Sequence, residues 1–385
     1  LYTLPGSDPS LAPILLLAHQ DVVPVEPGTE QDWDAPPFAG DIVDGIVYGR
    51  GAFDNKGSIV AIHEAMEGLL ATGFEPRRGI VLAFGHDEEV LGSGAEATAR
   101  LLQERGVRPW FALDEGMVVL QDLPLTGEPA ALIGLAEKGY LTVQVSAVAP
   151  GGHSSMPGRE SAIERLSRAV VAIREKPFRA GFDQGPAGEM LTSLAPQLGF
   201  GARVVIANRW LLEPLLLAGT EASPAGNALL RTTIAPTMLR SGTKPNVLPQ
   251  EAHAYLNLRL HPRDSVEEAL EHLRRSVSAI DGITIEPHGL HSEPSPVSSM
   301  DSEAYALLSD VTATHAPEGA PVAPALVLAA TDSRFYAGVA EDVYRFAPVW
   351  MAQAELERVH GTGERLSVEN LGRMIQFYAQ LIATG

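Results

Sequence analysis

Three short apolar runs near the start of the chain each stop on residues that do not belong in a core, and this pattern constrains the fold most. Residues 13–18 run into His19-Gln20-Asp21, and residues 79–84 run into Gly85-His86-Asp87-Glu88-Glu89. Residues 110–113 run into Asp114-Glu115-Gly116. Apolar runs of this length, bounded by Gly or turn residues, read as buried strands. Between them, Ile59, Ile62, Met66 and Leu69 recur at helical spacing, and residues 95–105 read as a second helix. Strands alternating with helices imply a mostly parallel sheet with helices on its faces, an α/β fold. The acidic strand ends then share the edge where open α/β sheets place their sites.

That edge gathers an unusual density of carboxylates. Glu88 and Glu89 are adjacent, and two negative charges held close together away from water call for positive charge beside them. In an extended segment His19 and Asp21 share a face, which suits a ligand imidazole oriented by a carboxylate. Asp54 lies in the Gly-rich turn Gly49-Arg50-Gly51-Ala52-Phe53-Asp54, at the start of the first helix. It reads as a helix cap, a common use, and also as a carboxylate bridging metal ions, and the two readings are compatible. His360, before the last helix, reads on its own as a loop histidine. On the first helix, His63-Glu64-x-x-Glu67 lacks the second His of the zinc-helix motif and reads as a solvated face. With no Cys in the chain, any metal must be held by His, Asp and Glu.

From residue 139 the pattern changes. Residues 141–147 alternate as a half-exposed strand does, Gly152-His153-Ser154-Ser155 follows, and residues 161–173 read as a helix. Residues 178–228 are broken by Gly and Pro and carry apolar patches such as Trp210-Leu211-Leu212. Residues 231–240 and 252–260 read as strands, 265–280 as a helix, 283–285 as a short strand and 294–299 as a linker. Residues 304–314 and 367–382 read as helices, and 325–329 as a strand ending in Thr331-Asp332-Ser333-Arg334. The expectation is a discontinuous domain made of 1–139 and 297–385, with a separate α+β domain, 140–296, inserted into it.

A net charge of −20 over 385 residues argues against a nucleic-acid partner. No apolar run approaches the about 20 residues needed to cross a bilayer as a helix.

Taken in order, Ala18-His19-Gln20-Asp21, Tyr48-Gly49-Arg50-Gly51, His86-Asp87-Glu88-Glu89, Leu113-Asp114-Glu115-Gly116, Gly152-His153-Ser154-Ser155, Asn246-Val247-Leu248-Pro249, Thr331-Asp332-Ser333-Arg334-Phe335 and His360-Gly361 resemble the two-zinc aminoacylase/carboxypeptidase family. Within it they are most similar to the branch of carboxypeptidase S and the secreted N-fatty-acyl-amino-acid synthase/hydrolase. The resemblance spans essentially the whole chain and implies an opening helix and strand that would precede Leu1. It implies two Zn2+ (Co2+ or Mn2+ also suit such donors), with His19 on one ion and His360 on the other. Asp54 would bridge them, and Glu89 and Asp114 would each complete one set. Glu88 would be the general base, Asp21 would orient His19, and His153 would stabilise the oxyanion, often across a dimer interface. The peptide after Asp54 is expected to be cis. Arg259, Arg334 and Asn246 are candidates for the substrate carboxylate. The implied reaction is cleavage of the amide of an N-acyl amino acid, reversible in principle. The alternatives are a carboxypeptidase or dipeptidase acting on short peptides, and a non-catalytic binding protein of the same fold. The resemblance implies that 1–139 and 297–385 form the catalytic metal-binding domain and that 140–296 is a lid or dimerisation domain, through which a homodimer forms.

Overall fold

A computed structural model describes all residues, 1–385. Its centre is a nine-stranded sheet. Ile14–His19 lies between Ile80–Gly85 and Phe111–Asp114 and is parallel to both. Asp342–Arg345 continues the parallel run beside Phe111–Asp114. Antiparallel pairings occur at Tyr2–Leu4 on one edge, at a single register pair between Asp342–Arg345 and Ala130–Glu137, and at Val119–Leu120. The three apolar runs are continuous because both faces of their strands are buried. Ile14, Leu16, Ile80, Leu82, Phe111 and Leu113 face a core shared with the helices Lys56–Ala71, Glu303–His315 and Val368–Thr384. Leu15, Leu17, Val81, Ala83 and Ala112 face the other way, against Ala95, Ala99 and Leu102 of the helix Gly94–Glu104. The period-2 alternation of strand side chains thus divides each run between two helical layers.

The register fixes what meets at the edge. His19 lies opposite Gly85 and Leu16 opposite Leu113, so His19, the acidic pair and the Asp114-Glu115 turn leave the sheet together.

The chain passes through Lys138 into a four-stranded antiparallel sheet ordered Thr233–Ser241, Glu251–Leu260, Gly139–Val148, Ile283–Pro287. Alternate residues of Gly139–Val148 and Glu251–Leu260 are buried. They pack under the helices Ala162–Arg174 and Val266–Ser276. Ser161 and Ser265 each form a capping box with the Glu three residues on, which sets where both helices start. The Gly/Pro-broken stretch holds the helices Ala187–Leu194, Phe200–Ala207, Arg209–Glu221 and Pro224–Leu230. On these, Phe200, Trp210, Leu211 and Leu215 are exposed.

Several strands of the central sheet differ from the sequence reading, among them Asp342–Arg345, Val119–Leu120 and Trp350–Met351, which were not expected. The strand expected at 325–329 is Val322–Val327. It pairs only with Ala130–Glu137, and an edge position tolerates Pro324, which has no N–H to donate. Ala130–Glu137 itself, buried at every position, was not expected as a strand. Its small residues and Gly134 weaken the pattern.

Candidate metal centre

His19 is 2% exposed at the end of its strand. Its Nε2 lies 2.9 Å from Asp54 Oδ1 and 3.1 Å from Glu115 Oε1. On the other side, His360 Nε2 lies 3.0 Å from Asp54 Oδ2 and 3.1 Å from Glu89 Oε2. The two oxygens of Asp54 therefore face two different imidazoles. His19, Asp54 and Glu115 form one group whose ligand atoms lie within 4.8 Å of one another, and Asp54, Glu89 and His360 form a second. Asp54 does not cap the helix Lys56–Ala71: Asn55 precedes its first residue, and no side chain caps it. The Asp54–Asn55 peptide is cis, as expected.

Neighbouring groups hold these side chains in place. His19 Nδ1 lies 3.1 Å from the Asp21 carbonyl and 3.4 Å from Asp21 Oδ1. Asp21 Oδ2 accepts the Glu89 N–H at 3.0 Å, and Glu89 Oε1 accepts the Val23 N–H at 3.2 Å. Asp21 thus lies against both His19, through its carbonyl, and the backbone of the acidic pair, through its carboxylate. His63, Glu64 and Glu67 all lie on the exposed face of their helix, as expected.

Asp114 is corrected. The structure puts Glu115, not Asp114, beside His19 and Asp54. Successive residues at a strand end point to opposite sides. Asp114, 4% exposed, accepts the Glu115 N–H on Oδ1 at 2.9 Å, and its Oδ2 has no hydrogen-bond partner. Glu115 is visible in the sequence but falls outside the resemblance's assignment by one position.

The charges around the centre are strongly perturbed. Burial works against a charged His19, but hydrogen bonds to Asp54 and Glu115 push it up to about 12. Hydrogen bonds to Asp54 and Glu89 push His360 up to about 10. Burial would raise Asp54, yet the two imidazoles hold it below the usual carboxylate range. Burial pushes Glu88 up to about 8, Asp114 up to about 6 and Asp332 up to about 7. Burial also raises Glu115 well above its ordinary value. A crowd of buried acids that ionise reluctantly, two of them with orphaned oxygens (Asp114 Oδ2 and Asp332 Oδ1), fits a place for cations. Two imidazoles and three carboxylates form a donor set that suits zinc, with cobalt or manganese as substitutes.

The remaining candidates belong to neither of the two groups. His153, exposed, sits in the short strand Gly152–His153, which pairs with Val247–Leu248 next to Asn246. Its Nδ1 accepts the Ser155 N–H at 3.1 Å. Arg334 donates from Nη1 to the Thr331 carbonyl at 2.7 Å. With Leu91, Gly92, Tyr140 and Phe335 it lines a cavity of about 590 Å³ beside the acidic-pair turn. Arg259, half-buried, places its guanidinium 4.9 Å from the Tyr140 ring centroid.

Residues 15–384 match the model of peptidase family M20/M25/M40. The chain is 39% identical over 386 residues to human N-fatty-acyl-amino acid synthase/hydrolase PM20D1, covering 99% of this chain and 76% of that protein. It is 38% identical to probable carboxypeptidase S-like 2 of Dictyostelium discoideum, covering 99% and 73%. Among solved structures, the M20 family metallo-carboxypeptidase Sso-CP2 from Sulfolobus solfataricus superposes with a TM-score of 0.70 at 18% identity, covering 99% of this chain and 86% of that one. Human carnosine dipeptidase 1 superposes at 0.61 and 17%, covering 99% and 82%. These two likenesses show the shared fold.

Proposed function

The chain belongs to peptidase family M20/M25/M40, and from that premise we propose a metal-dependent amidohydrolase that splits N-acyl amino acids into acyl group and amino acid. The same centre forms that bond when concentrations favour condensation. The observation that carries this reading is Asp54 with one oxygen toward each imidazole, each pairing completed by a further glutamate. The family implies a divalent metal; the two sets favour two Zn2+. His19 and Glu115 would hold one ion, Glu89 and His360 the other, with Asp54 shared. Bound there, the ions would supply an ionised water at neutral pH and polarise the carbonyl.

The chain's own groups account for the rest of the chemistry. Glu88 is raised by burial toward neutrality, which suits a base that takes a proton from water and passes it to the leaving amine. Asp21 keeps the His19 ring oriented. His153 accepts at Nδ1 from a backbone N–H, so its neutral ring carries its proton on Nε2 and offers a donor for the oxyanion. Arg334, Arg259 and Asn246 are the groups proposed to receive the substrate carboxylate, as bidentate or single donors. We assign 1–139 and 297–385 to the catalytic domain and 140–296 to an inserted lid, through which two copies would pair.

A substrate panel tests the reaction. N-long-acyl amino acids with a free carboxylate should turn over, and their carboxamides should not. Turnover of dipeptides alone would overturn the reading in favour of a carboxypeptidase, which the carboxypeptidase S-like relative keeps as the second choice. For His153, the H153A variant should lose about 10²–10³-fold in kcat with unchanged metal content, as oxyanion donors do. Mixing subunits of H153A with those of E88Q should restore activity if His153 acts across the dimer. A change of only a few-fold in H153A would remove it from the mechanism.

A further inference from the structure

We propose that Arg50 and Glu364 form a buried clasp whose task is to position the side chains of Asp54 and His360 for metal binding. This rests on the metal reading above and concerns two residues that take no direct part in it. Glu364 is 1% exposed and Arg50 7%. Glu364 Oε1 accepts the N–H groups of Gly51, Phe53 and Asp54 at 3.0, 3.1 and 3.0 Å. Its Oε2 accepts Arg50 Nη1 at 2.7 Å. Arg50 Nη2 then donates to the carbonyls of His360 and Gly361 at 3.1 and 3.0 Å. One ion pair thus holds the turn that ends in Asp54 and the turn that begins with His360, although Arg50 and Glu364 are 314 positions apart in the chain.

The placement of these bonds argues for positioning rather than bulk stability. All five of the clasp's bonds to backbone end within the two ligand-bearing turns. His360 itself has a φ of 61°, in the left-handed region that residues other than glycine adopt uncommonly. Its carbonyl is tied to Arg50 in that conformation. A buried ion pair is often no more stabilising than well-packed apolar residues, so its retention points to geometric specificity. A planar guanidinium with one arm on a carboxylate and the other on two carbonyls supplies such specificity. Lysine cannot reproduce the fork that reaches Glu364 and both carbonyls at once.

Cobalt titration of the metal-free full chain tests the proposal, followed by visible absorption and by metal content after dialysis against buffered zinc. Cobalt binding by the wild type is the prior condition; its failure would count against the metal reading itself. Given that binding, E364Q and R50K should each weaken one of the two bound ions about 10–100-fold, the range found for groups that support metal ligands. The ion lost should be the one on Asp54, Glu89 and His360, and the cobalt spectrum should change. Wild-type affinities and spectra in both folded variants would overturn the proposal. Failure of both variants to fold without metal would also overturn it, by assigning the pair to the fold alone.

Discussion

Replacing Glu88 with Gln lowers turnover about 10²–10⁴-fold, the range for loss of a positioned general base, while metal content stays at the wild-type level. The two effects separate because Glu88 belongs to neither group of ligand atoms. Gln matches the shape of Glu but takes up no proton. The pH profile adds a second readout. A general base works when deprotonated, so activity falls as pH drops through its pKa. Burial pushes Glu88 up to about 8, with nearby Asp332, Asp114 and Glu89 adding to the rise and His19 opposing it. Bound cations would pull it back down, so the acid limb of kcat/KM should lie below that value. In E88Q the limb should vanish along with the rate. Metal analysis and a pH–rate series on the same preparation check both parts. An E88Q enzyme within a few-fold of wild type, or with its acid limb intact, would remove Glu88 from proton transfer.

Much of this centre can be read from the sequence because buried parallel strands leave a plain signature. A strand covered on both faces needs apolar residues at every position, so the first polar residue marks where it leaves the sheet. His19, Glu89 and the Asp114-Glu115 turn were found in that way. The inserted sheet was equally legible, since Gly139–Val148 and Glu251–Leu260 bury alternate residues. Ala130–Glu137 was missed because Ala and Gly carry little strand signal, although every residue in it is buried. The clasp was harder to see. Arg50 stood in a recognised Gly-rich turn and Glu364 only four positions after His360. Their meeting, however, depends on a contact between distant parts of the chain, which no local pattern encodes.

A one-residue ambiguity remains the sharpest divide between sequence and structure, and exchanging each neighbour in turn resolves it. E115Q should lose the ion proposed for His19 and Asp54, with an affinity drop beyond the about 10–100-fold that supporting groups cost, and a comparable fall in turnover. D114N should keep both ions and most of the activity. The geometry gives the reason for the asymmetry. Glu115 Oε1 lies 3.1 Å from His19 Nε2, where it would serve the proposed ion as an anionic ligand. Asp114 spends Oδ1 on the Glu115 N–H, a bond the amide oxygen of Asn can still accept. Its other oxygen is buried without a partner, and burial pushes the carboxyl up to about 6, so removing the charge should cost the fold little. Zinc stoichiometry and kcat measured on both variants distinguish them directly. If D114N loses an ion and E115Q retains both, the strand end must be rotated by one residue from the arrangement described, and Asp114 would be restored as the ligand.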